Sequence, residues 1–84
     1  MSSAEKAARL LLKLEPEEWM VLQAVERGMA NYSIVPMTQL LKYTKMPDRD
    51  VEFSLRALNK KDLIWRSFDP YHGYILNYSG YDLL

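Results

Sequence analysis

The feature that most limits the possible folds of this 84-residue chain is a change in the spacing of its apolar residues near position 62. Before that position, apolar side chains recur every three or four residues, which is typical of one face of an α-helix. After it, the short apolar and aromatic runs 63–68 and 74–77 flank the segment Asp-Pro-Tyr-His-Gly at 69–73, whose proline and glycine favour a turn. The order of these patterns predicts helices followed by one β-hairpin.

Two helices are predicted in the first third of the chain. Residues 3–14 start at Ser3, a good capping residue, and carry one apolar face. A second helix is predicted to begin at Pro16, because proline suits the first helical position and the surrounding glutamates complement the positive end of the helix dipole. Gly28 or Asn31 is expected to end it. Its buried face is predicted to consist of Trp19, Leu22, Val25 and Met29, with Met20 and Val21 beside it.

Two further helices are predicted before the hairpin, joined by the short connection 45–47. The first of them begins at Pro36 and runs to about Thr44, and the second runs from Asp48 to about Lys61. Helical spacing in the second places three apolar residues on one face, which we expect to be buried. These residues are Val51, Leu55 and Leu58.

The complete order of elements predicts a winged helix-turn-helix domain, a mostly α fold with a small β-hairpin wing (α+β). The length suits a single domain that spans residues 1–84. A short extended stretch at 33–35 is expected to supply a small third strand. Trp19, Trp65 and most of the tyrosines are expected in the core or at its edge.

Charge and composition exclude several classes of protein and site. Eleven Lys and Arg side chains balance eleven Asp and Glu side chains, so overall charge alone cannot hold the chain on DNA or RNA. The absence of cysteine excludes disulfides, thiolate metal sites and cysteine nucleophiles. The longest apolar run, 19–22, is far shorter than a membrane span, and the first residues lack the apolar region of a signal peptide. We therefore expect no membrane contact and a cytoplasmic location.

No catalytic or cofactor site is expected in this chain alone. The sequence holds no glycine-rich phosphate-binding loop, and its glycines are isolated. His72, the one histidine, lies in the predicted turn near Asp69 and is expected to be solvated or to cap that turn. These patterns predict no catalytic residue, no cofactor, no metal, and no binding or hydrolysis of ATP by these 84 residues.

A candidate nucleic-acid site is predicted on the outer face of the helix that begins at Asp48. At about 100° of rotation per residue, three cations and one phenylalanine point away from the apolar face of that helix. Cationic side chains can neutralise phosphates, and an exposed phenylalanine can stack on a base. The candidate residues are Arg49, Phe53, Arg56 and Lys60 on this face, supported by Lys42 and Lys45 from the preceding helix and by Arg66 in the hairpin.

Competing interpretations of this face remain open. Exposed Lys and Arg are often only a solvated surface, and Asp48, Asp50 and Glu52 in the first turn would repel a phosphate backbone. The same carboxylates suit the helix dipole, and Glu52 can pair with Arg56 four residues later. The sequence therefore leaves a nucleic-acid-binding module, a stand-alone DNA-binding transcriptional regulator and a purely structural protein-interaction module as alternatives.

Three stretches of the sequence resemble one known family. Residues 18–36 contain the run AVERGMANYSIVP, residues 63–65 read LIW, and residues 73–84 read GYILNYSGYDLL. They are similar to the amino-terminal domain of the second subfamily of RIO atypical protein kinases, in which matching segments read vLtAVEmGMkNHeiVP and GYrLTnaGYDyLAL. The similarity covers residues 10–84, which is nearly the whole chain.

The resemblance implies a parent protein with serine/threonine kinase or ATPase activity that uses ATP and Mg. It also implies a role in maturation of the small ribosomal subunit, in which this domain contacts ribosomal RNA or assembly partners of the pre-small-subunit particle. The family continues into a kinase domain, so one is expected downstream in the parent chain, and the end at Leu84 is expected to mark an isolated domain. No catalytic residue of the family carries over, since none of those positions falls within these 84 residues.

Overall fold

The computed structural model describes residues 14–77 and Gly80. The predicted helix at 3–14 and the residues at 81–84 lie outside this part of the chain. Within it, helices and then a hairpin follow one another in the predicted order, which confirms a winged helix-turn-helix fold of the α+β class. The elements are α1 (Pro16–Gly28), α2 (Met37–Thr44), α3 (Asp48–Lys60), β1 (Ile64–Ser67) and β2 (Gly73–Leu76).

Both ends of α1 have clear causes in the sequence. Pro16 opens the helix, and Glu17 and Glu18 lie in its first turn, where the helix dipole favours carboxylates. The helix ends at Gly28, one of the two predicted positions. A larger residue would clash there, because a Cβ added to Gly28 would lie 2.5 Å from Cγ1 of Val35. Gly28 therefore lets the end of α1 pack directly on the segment that leads into α2.

The hydrophobic core lies between the helices and the hairpin, and α3 packs against α1 across it. All three predicted inward residues of α3 are buried, so its helical spacing predicted the correct face. The predicted face of α1 is confirmed at its centre but not throughout. Met20 is exposed because it lies about 160° from Leu22 around the helix. Of the other residues predicted on the buried face of α1, Val21, Leu22 and Val25 are buried, and Trp19 and Met29 are half-buried.

The predicted third strand at 33–35 is reduced to a single bridge. The backbone N–H of Val35 donates to the carbonyl of Tyr74 at 2.8 Å, and the N–H of Tyr74 donates to the carbonyl of Val35 at 2.9 Å. Pro36 follows at once, and it has no N–H to donate and leads directly into α2. The sheet in the described part of the chain therefore has two strands, β1 and β2.

The prediction that Trp65 lies in the core is wrong. In the antiparallel register, Ile64 lies opposite Leu76 and Trp65 lies opposite Ile75. Successive side chains of a strand point to opposite faces of the sheet, so the burial of Ile64 and Leu76 turns Trp65 away from the core. The side chain of Trp65 is accordingly 49% exposed.

The tyrosines divide between core and surface. Tyr74 is buried and Tyr43 is half-buried, as predicted. Tyr32 and Tyr71 are instead exposed, and their hydroxyl groups donate hydrogen bonds to Gln39 and to the carbonyl of Ile34. The two remaining tyrosines lie outside the described residues.

An ion pair joins α1 to the residue that follows α3. The Nζ atom of Lys61 lies 2.6 Å from Oε1 of Glu18, whose side chain is almost fully buried. The same carboxylate oxygen accepts the backbone N–H of Glu15 at 3.4 Å. A buried carboxylate needs such partners, because removal from water strongly disfavours an unpaired charge.

We expect Lys61→Met to lower the free energy of unfolding by about 1–3 kcal/mol, because Glu18 would keep a nearly buried carboxylate without its cation. Lys60→Met is the matched control: Lys60 is exposed, and we expect its loss to change stability by less than about 0.5 kcal/mol. Chemical denaturation followed by circular dichroism measures both variants. Equal stability of the two variants would contradict a stabilising role for the ion pair.

Candidate nucleic-acid interface

The outer face of α3 consists of Arg49, Phe53, Arg56 and Lys60, and all four side chains are exposed as the helical spacing predicted. Phe53 is 73% exposed, which is unusual for a phenyl ring. Nη2 of Arg56 lies 2.9 Å from Oε1 of Glu52, which confirms the predicted pairing over one helical turn. The tertiary structure gives the two halves of this face different surroundings.

The first half of the outer face borders a space that we call the acidic cleft. This cleft lies between the start of α1 and the first two turns of α3. This cleft has a volume of about 350 Å³. Arg49 is its only cation among the lining residues, and Lys61 pairs with one of its carboxylates, that of Glu18. The cleft therefore does not suit a phosphate backbone. Its lining residues are Glu15, Glu17, Glu18, Arg49, Asp50, Phe53 and Ser54.

The second half of the outer face borders a larger space, the helix–wing groove, which lies between α3 and the hairpin. Its volume is about 740 Å³. Three cations, Arg56, Lys60 and Arg66, line it together with one carboxylate, Glu52. The groove therefore has an excess of positive charge in a chain whose net charge is zero. The other lining residues are Met37, Leu55, Asn59, His72 and Tyr74.

A buried phenol lies between the helix and the wing in this groove. Tyr74 on β2 pairs with Arg66 on β1 across the hairpin. Burial raises the pKa of the Tyr74 phenol, although the positive charge of Arg66 and a hydrogen bond with its side chain act in the opposite direction. The phenol therefore stays neutral near neutral pH and keeps a proton that it can donate to a hydrogen bond.

The wing carries a cluster of aromatic rings, the wing aromatic cluster, formed by Phe68, His72 and Tyr74. The rings of Phe68 and His72 stack with centroids 4.8 Å apart and planes 7° apart, and His72 lies 5.4 Å from Tyr74. Cζ of Arg66 lies 5.2 Å from the centroid of Phe68. His72 is exposed as predicted, but its stacking on Phe68 was not predicted.

The structure brings together only part of the predicted nucleic-acid site. Arg56, Lys60 and Arg66 share the helix–wing groove, whereas Arg49 and Phe53 border the acidic cleft. The two predicted supporting lysines are exposed, but neither lines the groove or the cleft. These are Lys42 on α2 and Lys45, which ends α2 in the left-handed conformation with φ of 57°.

Within residues 14–77 and Gly80, no group of three His, Asp or Glu side chains is arranged to hold a metal ion. The helices in this part of the chain are also too short or too polar for one of them to cross a membrane. The helix–wing groove, which brings together Arg56, Lys60 and Arg66, is the candidate functional site that the geometry best supports.

A family profile and two related sequences all point to the same protein family. The sequence profile of the family described as "Rio2, N-terminal" matches residues 11–84. The serine/threonine-protein kinase rio2 of Dictyostelium discoideum is 34% identical over 79 residues, which cover 94% of this chain and 15% of that protein. The RIO-type serine/threonine-protein kinase Rio2 of Methanocaldococcus jannaschii is 36% identical over 56 residues, which cover 67% of this chain and 20% of that protein. The chain thus spans a fifth or less of these relatives.

Solved structures agree with this family and with the fold. The crystal structure of the Rio2 kinase from Chaetomium thermophilum superposes with a TM-score of 0.78 at 39% identity, over 90% of this chain and 22% of that one. MepR of S. aureus, solved with bound ethidium bromide, gives a TM-score of 0.73 at 22% identity, over 96% of this chain and 61% of that one, and shows similarity of fold alone. The sequence resemblance to the second RIO subfamily is confirmed, and the chain belongs to the Rio2 N-terminal domain family.

Proposed function

We propose that this chain is the RNA-binding module of a RIO-type serine/threonine kinase or ATPase that acts in the cytoplasm during maturation of the small ribosomal subunit. The observation that carries the proposal is that Arg56, Lys60 and Arg66 line one groove between α3 and the wing. Such a concentration of cations in a neutral chain is the electrostatic pattern expected for contact with a phosphate backbone. The partner in this proposal is ribosomal RNA of the pre-small-subunit particle.

The kinase activity of the proposed parent belongs to a separate domain. A solved relative, the Rio2 kinase from Chaetomium thermophilum, is described as an ADP/Mg2+-phosphoaspartate complex. We assign that ligand to another domain, because the sequence of the present chain has no phosphate-binding glycine loop. In the proposed parent, a downstream kinase domain would bind ATP and Mg²⁺, and the present domain would bring it to its RNA or assembly partners.

A role as a DNA-reading regulator is less well supported. Helix-turn-helix regulators read DNA with the first residues of the recognition helix, which enter the major groove. In α3 those residues include Asp48 and Asp50, and the acidic cleft lies alongside them. These carboxylates would approach DNA phosphates on entry and repel them. The two cations that α3 contributes to the helix–wing groove, Arg56 and Lys60, lie instead in the second half of the helix.

We expect the 84-residue chain to bind fragments of small-subunit ribosomal RNA with a clear dependence on salt. Three groove cations that each neutralise one phosphate give a log–log slope of affinity against salt of about −2 to −3. Fluorescence anisotropy titrations at several salt concentrations measure the slope, with duplex DNA of equal phosphate number as the comparison. Absence of RNA binding at low salt would refute the proposal and favour the protein-interaction alternative.

A further inference from the structure

We infer that the helix–wing groove and the wing aromatic cluster together form a site for unpaired nucleotides of RNA, with phosphates held by Arg56, Lys60 and Arg66 and a base stacked on Phe68. This inference rests on the proposed function and narrows it to a class of ligand. It also moves the stacking residue from Phe53 on α3, as the sequence predicted, to the wing.

The distribution of charge favours this end of α3 over the end that would enter a duplex. Three carboxylates, Asp48, Asp50 and Glu52, lie in the first half of α3, and the acidic cleft adds those of α1. In the groove, Glu52 is the only carboxylate among the lining residues and is paired with Arg56, while Lys60 and Arg66 supply further positive charge. A backbone that lies along the groove therefore meets cations and avoids the cleft.

The wing aromatic cluster supplies an exposed ring on which an unpaired base can stack. Phe68 is 65% exposed although the imidazole of His72 stacks on its ring and Cζ of Arg66 lies 5.2 Å from its centroid, so a nucleobase can stack there by replacing one of these two groups. A nucleobase is another planar group that stacks at this distance on an aromatic ring. A paired base inside a duplex has both faces covered by its neighbours and cannot stack in this way. Stacking on Phe68 therefore favours a single strand over a duplex.

Two residues that line the groove also offer hydrogen-bonding groups. Tyr74 keeps a neutral phenol there, and Asn59 lines the same space with a side-chain amide that can donate and accept. The volume of about 740 Å³ lies within the range of sites that hold small organic groups, which is about 300–1,000 Å³. A nucleotide can therefore enter the groove while its neighbour stacks on the wing.

The test compares a labelled single-stranded RNA oligonucleotide with the duplex of the same strand, by anisotropy, on the 84-residue chain at one low salt concentration. We expect the single strand to bind about 10-fold more tightly than the duplex, since stacking of one base changes affinity by about 5- to 150-fold. Phe68→Leu should weaken binding of the single strand by about 10-fold and leave duplex binding unchanged. Arg66→Gln should reduce the salt slope for the single strand by about 0.7.

Phe53→Leu is the matched control, because it removes a similarly exposed phenyl ring that belongs neither to the groove nor to the wing aromatic cluster. It should change single-strand affinity by less than about twofold. Melting temperatures of both Leu variants should match that of the parent chain, since both rings are on the surface. Equal affinity for single strand and duplex, or no effect of Phe68→Leu, would overturn the inference while leaving RNA binding intact. Failure to bind either RNA would refute the proposed function as well.

Discussion

Leu55→Ala is expected to lower the free energy of unfolding by about 2–5 kcal/mol, because it removes a buried side chain and leaves a cavity. Leu55 is only 2% exposed and lies on α3 between the core and the helix–wing groove. Domains of this size have a total stability of about 5–15 kcal/mol, so the loss is a large fraction of it. Thermal unfolding should show a melting temperature lower by about 10 °C or more.

Phe53→Ala serves as the control for that experiment. It removes more atoms from the same helix, but Phe53 is 73% exposed and packs against little, so we expect a change within about 0.5 kcal/mol. A melting temperature that falls more for Phe53→Ala than for Leu55→Ala would mean that α3 packs through the opposite face. In that case the cations of the outer face would not be exposed, and the candidate site would not exist.

The helices were predictable because each carries local signals at its ends and a regular apolar spacing between them. In α3, for example, Pro47 precedes the first turn and the apolar positions repeat with the period of a helix, so both its limits and its buried face followed from the sequence. Gly28, one of the two predicted positions, ends α1, although the steric reason, its close approach to Val35, depends on the tertiary structure.

The hairpin was predictable as an element but not in its orientation. Ile64 and Trp65 are adjacent apolar residues, and alternation along a strand places one of them inside and the other outside. The sequence does not decide between them, since both are large and apolar. The pairing of Ile64 with buried Leu76 determines which residue points into the core. Because Ile64 is buried, the side chain of Trp65 is about half exposed.

For the candidate site, the sequence could predict only which face of α3 carries the residues. The helical wheel placed Arg49 and Arg56 on the same outer face, and both are exposed there. It could not show that one borders the start of α1 and the other borders the wing, because those neighbours are distant in sequence. The stacking of Phe68 on His72 was also hidden, since contacts between rings within an irregular loop follow no periodic pattern.

Reversal of the two charges that α3 contributes to the groove should have the largest effect on binding. We expect the double variant Arg56→Glu, Lys60→Glu to bind RNA about 100-fold more weakly or worse, because two charge-assisted contacts with phosphate are lost and two repulsive ones are gained. The new Glu at position 56 also lies beside Glu52, which loses its partner. Anisotropy titrations with the ribosomal RNA fragments measure this loss.

The fold should survive this change, because both side chains are exposed and an ion pair on the surface contributes less than about 1 kcal/mol. The double variant Lys42→Glu, Lys45→Glu is the matched control: it changes the net charge by the same amount at two exposed positions outside the groove. Its binding should weaken by much less, by about 10-fold at most, since only long-range electrostatics act there. Equal losses in both double variants would show that overall charge, rather than the groove between α3 and the wing, determines RNA binding.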